Sequence, residues 1–416
     1  MATHLLQFLL AFCGFCIIIG LTPEERMACT RGLICAVNKD QIDLFVVGDT
    51  GGVEYAIAQG FPSYVKPTTV QTRVADAMAK LAAKKGLDFV INVGDNVYFN
   101  GVDHENDTRF YTVFEKPYSH KHLNVPWYMI AGNHDYLGNV DAQINYTKYS
   151  NKWTFPDRWY KLNYAFSKYQ KKVDFLFIDT VILCGNTIDI DSRSVFAWAT
   201  AFEKEPKQPD KQFIDAAKEQ WKWLEEELKD SEADFLFVVG HYPMYSLSMK
   251  RLKCLYDKLD PLLRKYQVTA YIAGHDHSVQ YFRDDGDPDK NRGPMRYLVS
   301  GAGSRTSFWD DYGGDENTHL LYRYPKKAEL SIISIGGRYM QQKNEFGYGQ
   351  GGFVHFTVQE HRADLYFYAK DLVLEFQESI PARNIAKLPK FNSKPKSAKA
   401  KKGRRKRDTV FSANKV

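Results

Sequence analysis

Seven residues in five short blocks could together do chemistry that none could do alone: Asp49, Asp95, Tyr98, Asn133, His241, His275 and His277. The blocks are Gly48-Asp49-Thr50-Gly51-Gly52, Gly94-Asp95-Asn96-Val97-Tyr98, Gly132-Asn133-His134-Asp135, Gly240-His241-Tyr242-Pro243 and Gly274-His275-Asp276-His277. The set mixes hard oxygen donors with imidazoles. It lacks the thiolates of a structural zinc site, so it reads as a catalytic metal centre with open positions. Seven ligands are too many for one ion, whereas two four-coordinate sets sharing one bridging carboxylate need seven. His275 and His277 are two apart and point to opposite sides of an extended chain, which two neighbouring metals explain better than one. Tyr98 also has a bland reading, as an aromatic packing residue.

Each block follows an apolar run. Ile42–Val47, Leu87–Val93, Val125–Ala131, Phe235–Val239 and Val268–Ala273 lead into the five blocks, and Val173–Ile178, Arg296–Val299, Phe353–Val358 and Leu365–Ala369 are similar runs. All are short and rich in Val, Ile, Phe and Tyr, as buried strands are. Helical spacing appears between them, with Val70, Val74, Met78 and Leu81 over residues 69–85 before Gly86, and Phe213, Ala217, Leu224 and Leu228 over 212–229. A third pattern, over 252–266, is broken by Pro261. Strands alternating with helices predict an α/β body, with closely spaced, antiparallel strands at its end. Ligands of such sheets bind beyond the carboxyl ends of the strands, where glycine allows a sharp turn and close approach. Gly286-Asp287 and Gly314-Asp315 follow no apolar strand and read as plain turns.

Composition bounds the rest. The 416 residues are 44% hydrophobic and 25% charged, which excludes a disordered chain and a multi-span membrane protein. The net charge of +6 hides an asymmetry: residues 383–416 carry thirteen Lys/Arg against one Asp, a net of +12, leaving −6 on the remainder. The charge is therefore no nucleic-acid signature of the fold. The basic run Lys401-Lys402-Gly403-Arg404-Arg405-Lys406-Arg407 lies in a tail, residues 381–416, without hydrophobic periodicity. It fits a solvated disordered segment, a polyanion- or matrix-binding tail, or a furin-type processing site. The apolar stretch Leu5–Leu21 reads as a signal peptide over residues 1–22, with an uncleaved anchor or a buried core helix as alternatives. Of six cysteines, Cys184 and Cys254 are read as the only pair in the folded body, either two inert thiols or one disulfide. Asn106 and Asn145 begin glycosylation sequons.

The five blocks as a set resemble the purple acid phosphatases of the metallophosphoesterase superfamily, most of all the small, tartrate-resistant animal type. The resemblance spans roughly residues 40–380 and extends to Asn100-Gly101-Val102, Val125-Pro126-Trp127-Tyr128, Leu137-Gly138-Asn139-Val140, Val268-Thr269-Ala270-Tyr271 and Ser300-Gly301-Ala302-Gly303. It implies a four-layer αββα sandwich, two sheets packed together with helices outside. It also implies that Asp49, Asp95, Tyr98 and His277 hold Fe(III), and that Asp95, Asn133, His241 and His275 hold a divalent Fe, Zn or Mn. Phosphate monoesters would then be hydrolysed by direct attack of a metal-bound hydroxide at a binuclear Fe(III)–M(II) centre. The resemblance makes His134 the acid or phosphate-oxygen stabiliser, oriented by Asp135, and pairs Cys184 with Cys254. A bland reading of His134 is a histidine satisfied by local backbone. A secreted or lysosomal, monomeric glycoprotein acting on phosphate monoesters, with no specific nucleic-acid partner, completes the expectation.

Thr50 stands where animal members carry Trp, Tyr136 where they carry His, and Lys250 where many have a second substrate-side His. Segments 187–212 and 304–350 are longer than in the mammalian members. Two rival readings are a phosphodiesterase or nucleotide hydrolase of the same superfamily, and a catalytically silent membrane-associated scaffold.

Overall fold

The computed structural model describes residues 15–17, 34–37, 39–53, 67–166, 171–185, 211–247, 251–290, 292–308, 318–325, 332–335, 338–341, 350–369 and 371–384. Lys250, Gly314-Asp315, the basic tail beyond residue 384, and most of segments 1–22, 187–212 and 304–350 lie outside the described residues. Within the N-terminal apolar run, Phe15–Ile17 is a strand paired in parallel with Ile34–Val37, so at these residues the run is not a helix.

Two large mixed sheets form the body. In spatial order the first contains Val373–Pro381, Arg362–Ala369, Gly352–Gln359, Gln41–Val47, Phe89–Asn92, Trp127–Met129 and Trp153–Thr154. The second contains Phe15–Ile17, Ile34–Val37, Tyr160–Phe166, Lys171–Phe177, Phe235–Val239, Ala270–Ala273, Met295–Ser300, Val279–Asp284 and Thr318–Tyr324. Their inner faces meet through aromatic side chains. Phe89 stacks on Tyr164 at 4.8 Å and meets the edge of Phe175 at 5.7 Å, Phe237 meets Phe356 at 5.7 Å, and Tyr281 meets Phe367 at 5.5 Å. With helices flanking, this is the expected α/β sandwich. A small third sheet joins Ser307–Phe308, Arg338–Gln341 and Ile332–Ile335 within the long 304–350 segment.

The parallel strands that carry the five blocks lie inside each sheet and are buried, which is why they read as unbroken apolar runs. Every residue of Phe235–Val239, Ala270–Ala273 and Phe89–Asn92 is buried. Gln41–Val47, Phe89–Asn92 and Trp127–Met129 run parallel to one another, as do Phe235–Val239, Ala270–Ala273 and Met295–Ser300. The last three strands of the chain pair antiparallel, as their close spacing predicts.

The helices follow from the same periodicities. Thr69–Lys85 starts where the Thr68 hydroxyl accepts from the Gln71 amide at 3.1 Å, and Gly86 ends it with φ +85°. Its Val70, Val74, Met78 and Leu81 face the core. Lys211–Asp230 buries Leu224 and Leu228. The expected break at Pro261 is corrected. The helices Lys253–Tyr256 and Leu259–Lys265 part at Asp257-Lys258, and Pro261 sits in the first turn of the second. There its missing N–H costs no intrahelical bond. Gly286-Asp287 is the expected plain turn, with the Asp287 amide on the Arg292 carbonyl at 2.7 Å.

Candidate metal centre

The five blocks leave the carboxyl ends of five parallel strands, three from the first sheet and two from the second, and meet where the sandwich brings those ends together. All seven candidate ligands arrive there. The Tyr98 hydroxyl lies 2.9 Å from Asp49 Oδ1, 3.0 Å from Asp95 Oδ2 and 3.0 Å from His277 Nε2. His241 Nε2 lies 3.0 Å from Asn133 Oδ1, 3.2 Å from His275 Nδ1 and 3.4 Å from Asp95 Oδ1. The two oxygens of Asp95 thus face two different clusters. His275 joins one and His277 the other, although the segment is bent and not extended, with the Asp276 amide on the Gly274 carbonyl at 2.8 Å.

The local backbone is bent to achieve this. Asp49, Asp95 and His275 all have positive φ, at 56°, 52° and 69°. Such conformations are rare outside glycine and mark places where surrounding structure enforces a functional geometry. Two glycines show the closeness of approach. A Cβ at Gly132 would lie 2.1 Å from Asp95 Oδ1, and Gly94, with φ +96°, would place one 2.6 Å from His241 Nδ1.

The donor chemistry calls for cations. Tyr98 has one phenolic proton, yet two carboxylate oxygens crowd its hydroxyl, so one contact stays repulsive unless a metal cation or a second proton lies among them. Burial, followed by the charges of Asp49 and Asp95, pushes the Tyr98 phenol well above its ordinary pKa. Burial and the Asp95 charge likewise raise Asp49 well above the usual carboxylate range. In the second cluster the Val93 carbonyl lies 2.8 Å from His241 Nδ1 and can only accept. The proton of the neutral ring therefore sits on Nδ1, and the lone pair of Nε2 points at the oxygens of Asn133 and Asp95. Burial lowers the His241 pKa to about 4, so the ring is neutral above that pH. Three converging lone pairs suit a metal ion. Asp95, His241 and His275 have ligand atoms within 4.8 Å of one another.

The expected partnership of Asp135 with His134 is corrected. Buried Asp135 accepts from the amides of Asn96 and Val97, from the Gly132 amide at 2.8 Å and from Gln143 Nε2 at 2.8 Å. It ties together the two loops that carry Asp95 and Asn133 instead of touching the imidazole. His134 Nδ1 lies 2.6 Å from the Phe99 carbonyl, and its amide donates to Asp95 Oδ1 at 3.0 Å. The bland backbone partner exists, but it takes only Nδ1. The carbonyl fixes the proton there and leaves Nε2 available at a half-buried position.

Sequence reasoning missed several residues that hold this geometry. Thr180 Oγ1 accepts from the amides of His241 and Tyr242 at 3.3 and 3.0 Å. Asn92 Nδ2 donates to Thr50 Oγ1 at 2.9 Å, which gives Thr50 a supporting role. The other departure, Tyr136, is buried with its hydroxyl on Asp179 Oδ2. Arg305 lies over the ring of Tyr98, its guanidinium carbon 4.4 Å from the ring centre. No motif marks it, since its neighbours in sequence are small and polar.

The disulfide Cys184–Cys254 is formed and links the end of Thr180–Cys184 to Lys253–Tyr256. Cys35 corrects the two-cysteine count for the folded body. It is buried and also disulfide-bonded, its partner sulfur lying outside the described side chains. Asn106 is exposed, while in the second sequon Thr147 is buried with its hydroxyl on the Phe155 carbonyl at 3.1 Å.

Comparisons with known proteins give the family. Residues 42–279 match the calcineurin-like phosphoesterase family. The chain is 38% identical over 343 residues to tartrate-resistant acid phosphatase type 5 of Mus musculus, covering 81% of this chain and 89% of that protein. It is 32% identical over 288 residues to purple acid phosphatase 7 of Arabidopsis thaliana, covering 66% and 80%. Among solved structures, GAP50, the anchor in the inner membrane complex of Plasmodium, superposes with a TM-score of 0.59 at 21% identity, covering 85% of this chain and 96% of that one. Purple acid phosphatase PPD1 from yellow lupin seeds gives 0.51 at 14% identity, covering 82% and 54%. These two likenesses concern the fold alone. The extent and identity of the sequence matches show that this chain belongs to the calcineurin-like phosphoesterase family, in the purple acid phosphatase branch.

Proposed function

We infer that the chain is an acid phosphatase that hydrolyses phosphate monoesters at a two-metal centre. The observation that carries this reading is the pair of clusters sharing Asp95: one oxygen faces Tyr98, Asp49 and His277, and the other faces His241 and His275. Asp49, Asp95, Tyr98 and His277 would hold Fe(III), since two carboxylates and a phenolate are hard anionic donors. Asp95, Asn133, His241 and His275 would hold a divalent Fe, Zn or Mn. When bound, the metals supply Lewis acidity, a hydroxide nucleophile near neutral pH and a clamp on the phosphoryl oxygens.

The chain's own residues do the rest. Asp49, Asp95 and Tyr98 bring three negative charges, which leaves a trivalent and a divalent ion with net positive charge for the substrate anion. The Val93 carbonyl keeps the His241 proton on Nδ1, so Nε2 stays free as a ligand. His134 is held by Phe99 at Nδ1, so its Nε2, when protonated, can give a proton to the leaving alkoxide. Asp135 is a positioning residue for the loops of Asp95 and Asn133.

The test compares the purified metal-loaded protein on an aryl phosphate monoester and on the matching bis-ester. Turnover of the monoester at acid pH with little of the bis-ester supports the reading. Preference for the bis-ester would move the chain to the phosphodiesterase alternative, and inactivity with both metals bound would favour the silent scaffold.

The rest of the reading forms one picture: a signal peptide over residues 1–22, a catalytic domain over 40–380, a basic tail over 381–416 and a secreted or endomembrane-lumen location. The first tail residues are docked on the body, since Pro381 ends a strand and the Arg383 amide donates to the Asp234 carbonyl at 2.8 Å. The disulfides support an oxidising compartment. Exposed Asn106 is the better glycan acceptor of the two sequons, so N106Q should remove more of any glycosidase-sensitive mass than N145Q. Among the described residues no helix is long and apolar enough to cross a membrane.

A further inference from the structure

We propose that Arg305 binds the phosphate group of the substrate at this centre, a role that rests on the phosphatase reading. Its guanidinium carbon lies 4.4 Å from the ring centre of Tyr98 and 4.9 Å from that of Phe99. In both contacts the cation lies over an aromatic ring, which takes up none of its N–H donors in a conventional hydrogen bond. An arginine carries five N–H donors around its edge, in a fork that matches phosphate oxygens. None of the carboxylates or carbonyls of the described residues takes them. Arg264 shows the contrast. It also lies against an aromatic ring, but its nitrogens are spent on Asp260 and Asp284, each at 2.8 Å.

The backbone on both sides of Arg305 is fixed to the ligand loops. The buried Ser304 hydroxyl donates to the Asp49 carbonyl, and the Thr68 hydroxyl donates to the Ser304 carbonyl. The Gly303 amide donates to the Gly48 carbonyl at 3.1 Å, and Thr306 is buried. A half-buried cation, unpaired among the described residues, is thus held beside a candidate metal ligand and near His134, whose ring centre lies 4.6 Å from that of Tyr98. A partly desolvated cation with open N–H donors favours an anion beside it. In a phosphoesterase the anion that visits this place is the phosphate monoester.

Arg305→Gln and Arg305→Lys, prepared as metal-loaded full-length protein, test the proposal with inorganic phosphate as the probe. Phosphate affinity is read by equilibrium dialysis, and metal content is measured on the same samples. The expected result is phosphate binding weakened about tenfold or more in Arg305→Gln, with metals retained, because charge-assisted, forked contacts are lost. Arg305→Lys should recover part of that loss, since it restores the charge without the fork. KM for an aryl phosphate monoester should rise in the same order. Phosphate affinity within twofold of the parent in both variants would overturn the proposal and leave Arg305 as a packing residue over Tyr98. If Arg305→Gln fails to hold metal, Arg305→Lys decides: weakened phosphate binding supports the role, and parental binding overturns it. A parent protein that neither binds phosphate nor hydrolyses the ester overturns the phosphatase reading, and this inference with it.

Discussion

At the scale of single residues, His134 and Asp135 are neighbours in sequence and separate in task. His134 keeps Nε2 free because Phe99 occupies Nδ1. His134→Asn should lower kcat by about 10²–10⁴, the usual worth of a positioned general acid, while metal content stays unchanged. Single-turnover and steady-state rates within threefold of the parent would remove it from the proton transfer. Asp135→Ala should act differently. It leaves the amides of Asn96, Val97 and Gly132 without their acceptor, at about 1–3 kcal/mol for each buried donor. Melting temperature and metal content should both fall, and the variant that still holds metal should keep the parental pH profile. A shifted pH profile with intact stability would return Asp135 to the catalytic role that its sequence position suggested. That error has a simple physical source: adjacent side chains in a turn need not point at each other.

At the scale of elements, strand ends and their glycines set the distances. Gly132→Ala would drive a Cβ to 2.1 Å from Asp95 Oδ1, so the carboxylate must move. Metal content should fall by half or more, measured by elemental analysis, while far-ultraviolet circular dichroism stays native. Retention of both metals would show that the Asp95 loop is more adaptable than its positive φ indicates. The helix Thr180–Cys184 gives a second test. Its N-cap, buried Asp179, accepts from the Ile182 amide at 2.9 Å and from Tyr136, but burial raises its pKa to about 6. In the unfolded chain an aspartate titrates near 3.9. The folded state therefore holds this proton more tightly, and its contribution to stability is full below about pH 4 and lost as pH rises through about 6. Asp179→Asn keeps a cap and removes the titration. Its stability between pH 4 and 6 should be flatter than the parent's, by up to about 2–3 kcal/mol over that range. Parallel curves for parent and variant would show that Asp179 is ionised throughout.

At the scale of the whole molecule, the sandwich joins strand ends from two sheets, and the Cys184–Cys254 bridge closes a separation of 70 residues on the second-sheet side. Replacing both cysteines by Ala should cost about 2–4 kcal/mol by denaturant unfolding, and no change in midpoint would show the bridge to be dispensable. Much of this organisation was legible in the sequence. Strands such as Phe235–Val239 are buried on both faces and announce themselves as apolar runs, and the ligand blocks follow them directly. Strands with polar residues among their core positions were not legible. Val373–Pro381, at a sheet edge, is mostly exposed, and Tyr160–Phe166 interleaves Lys161 and Asn163 with its core residues. Nor was Arg305, because nothing within its own segment reveals that the 301–306 loop folds against Asp49 and Tyr98. Deleting residues 385–416 should release any salt-sensitive retention on heparin without changing monoester turnover. Unchanged retention would place any polyanion contact on the folded body.

The most direct measurement is the visible absorption spectrum of the purified protein with metal analysis, repeated for Tyr98→Phe. The expected result is a broad purple band and about two metals per chain, with the band lost or strongly shifted in the variant because the phenolate is its source. A colourless protein with fewer than one metal per chain, even after oxidation and iron reconstitution, would contradict the two-metal centre.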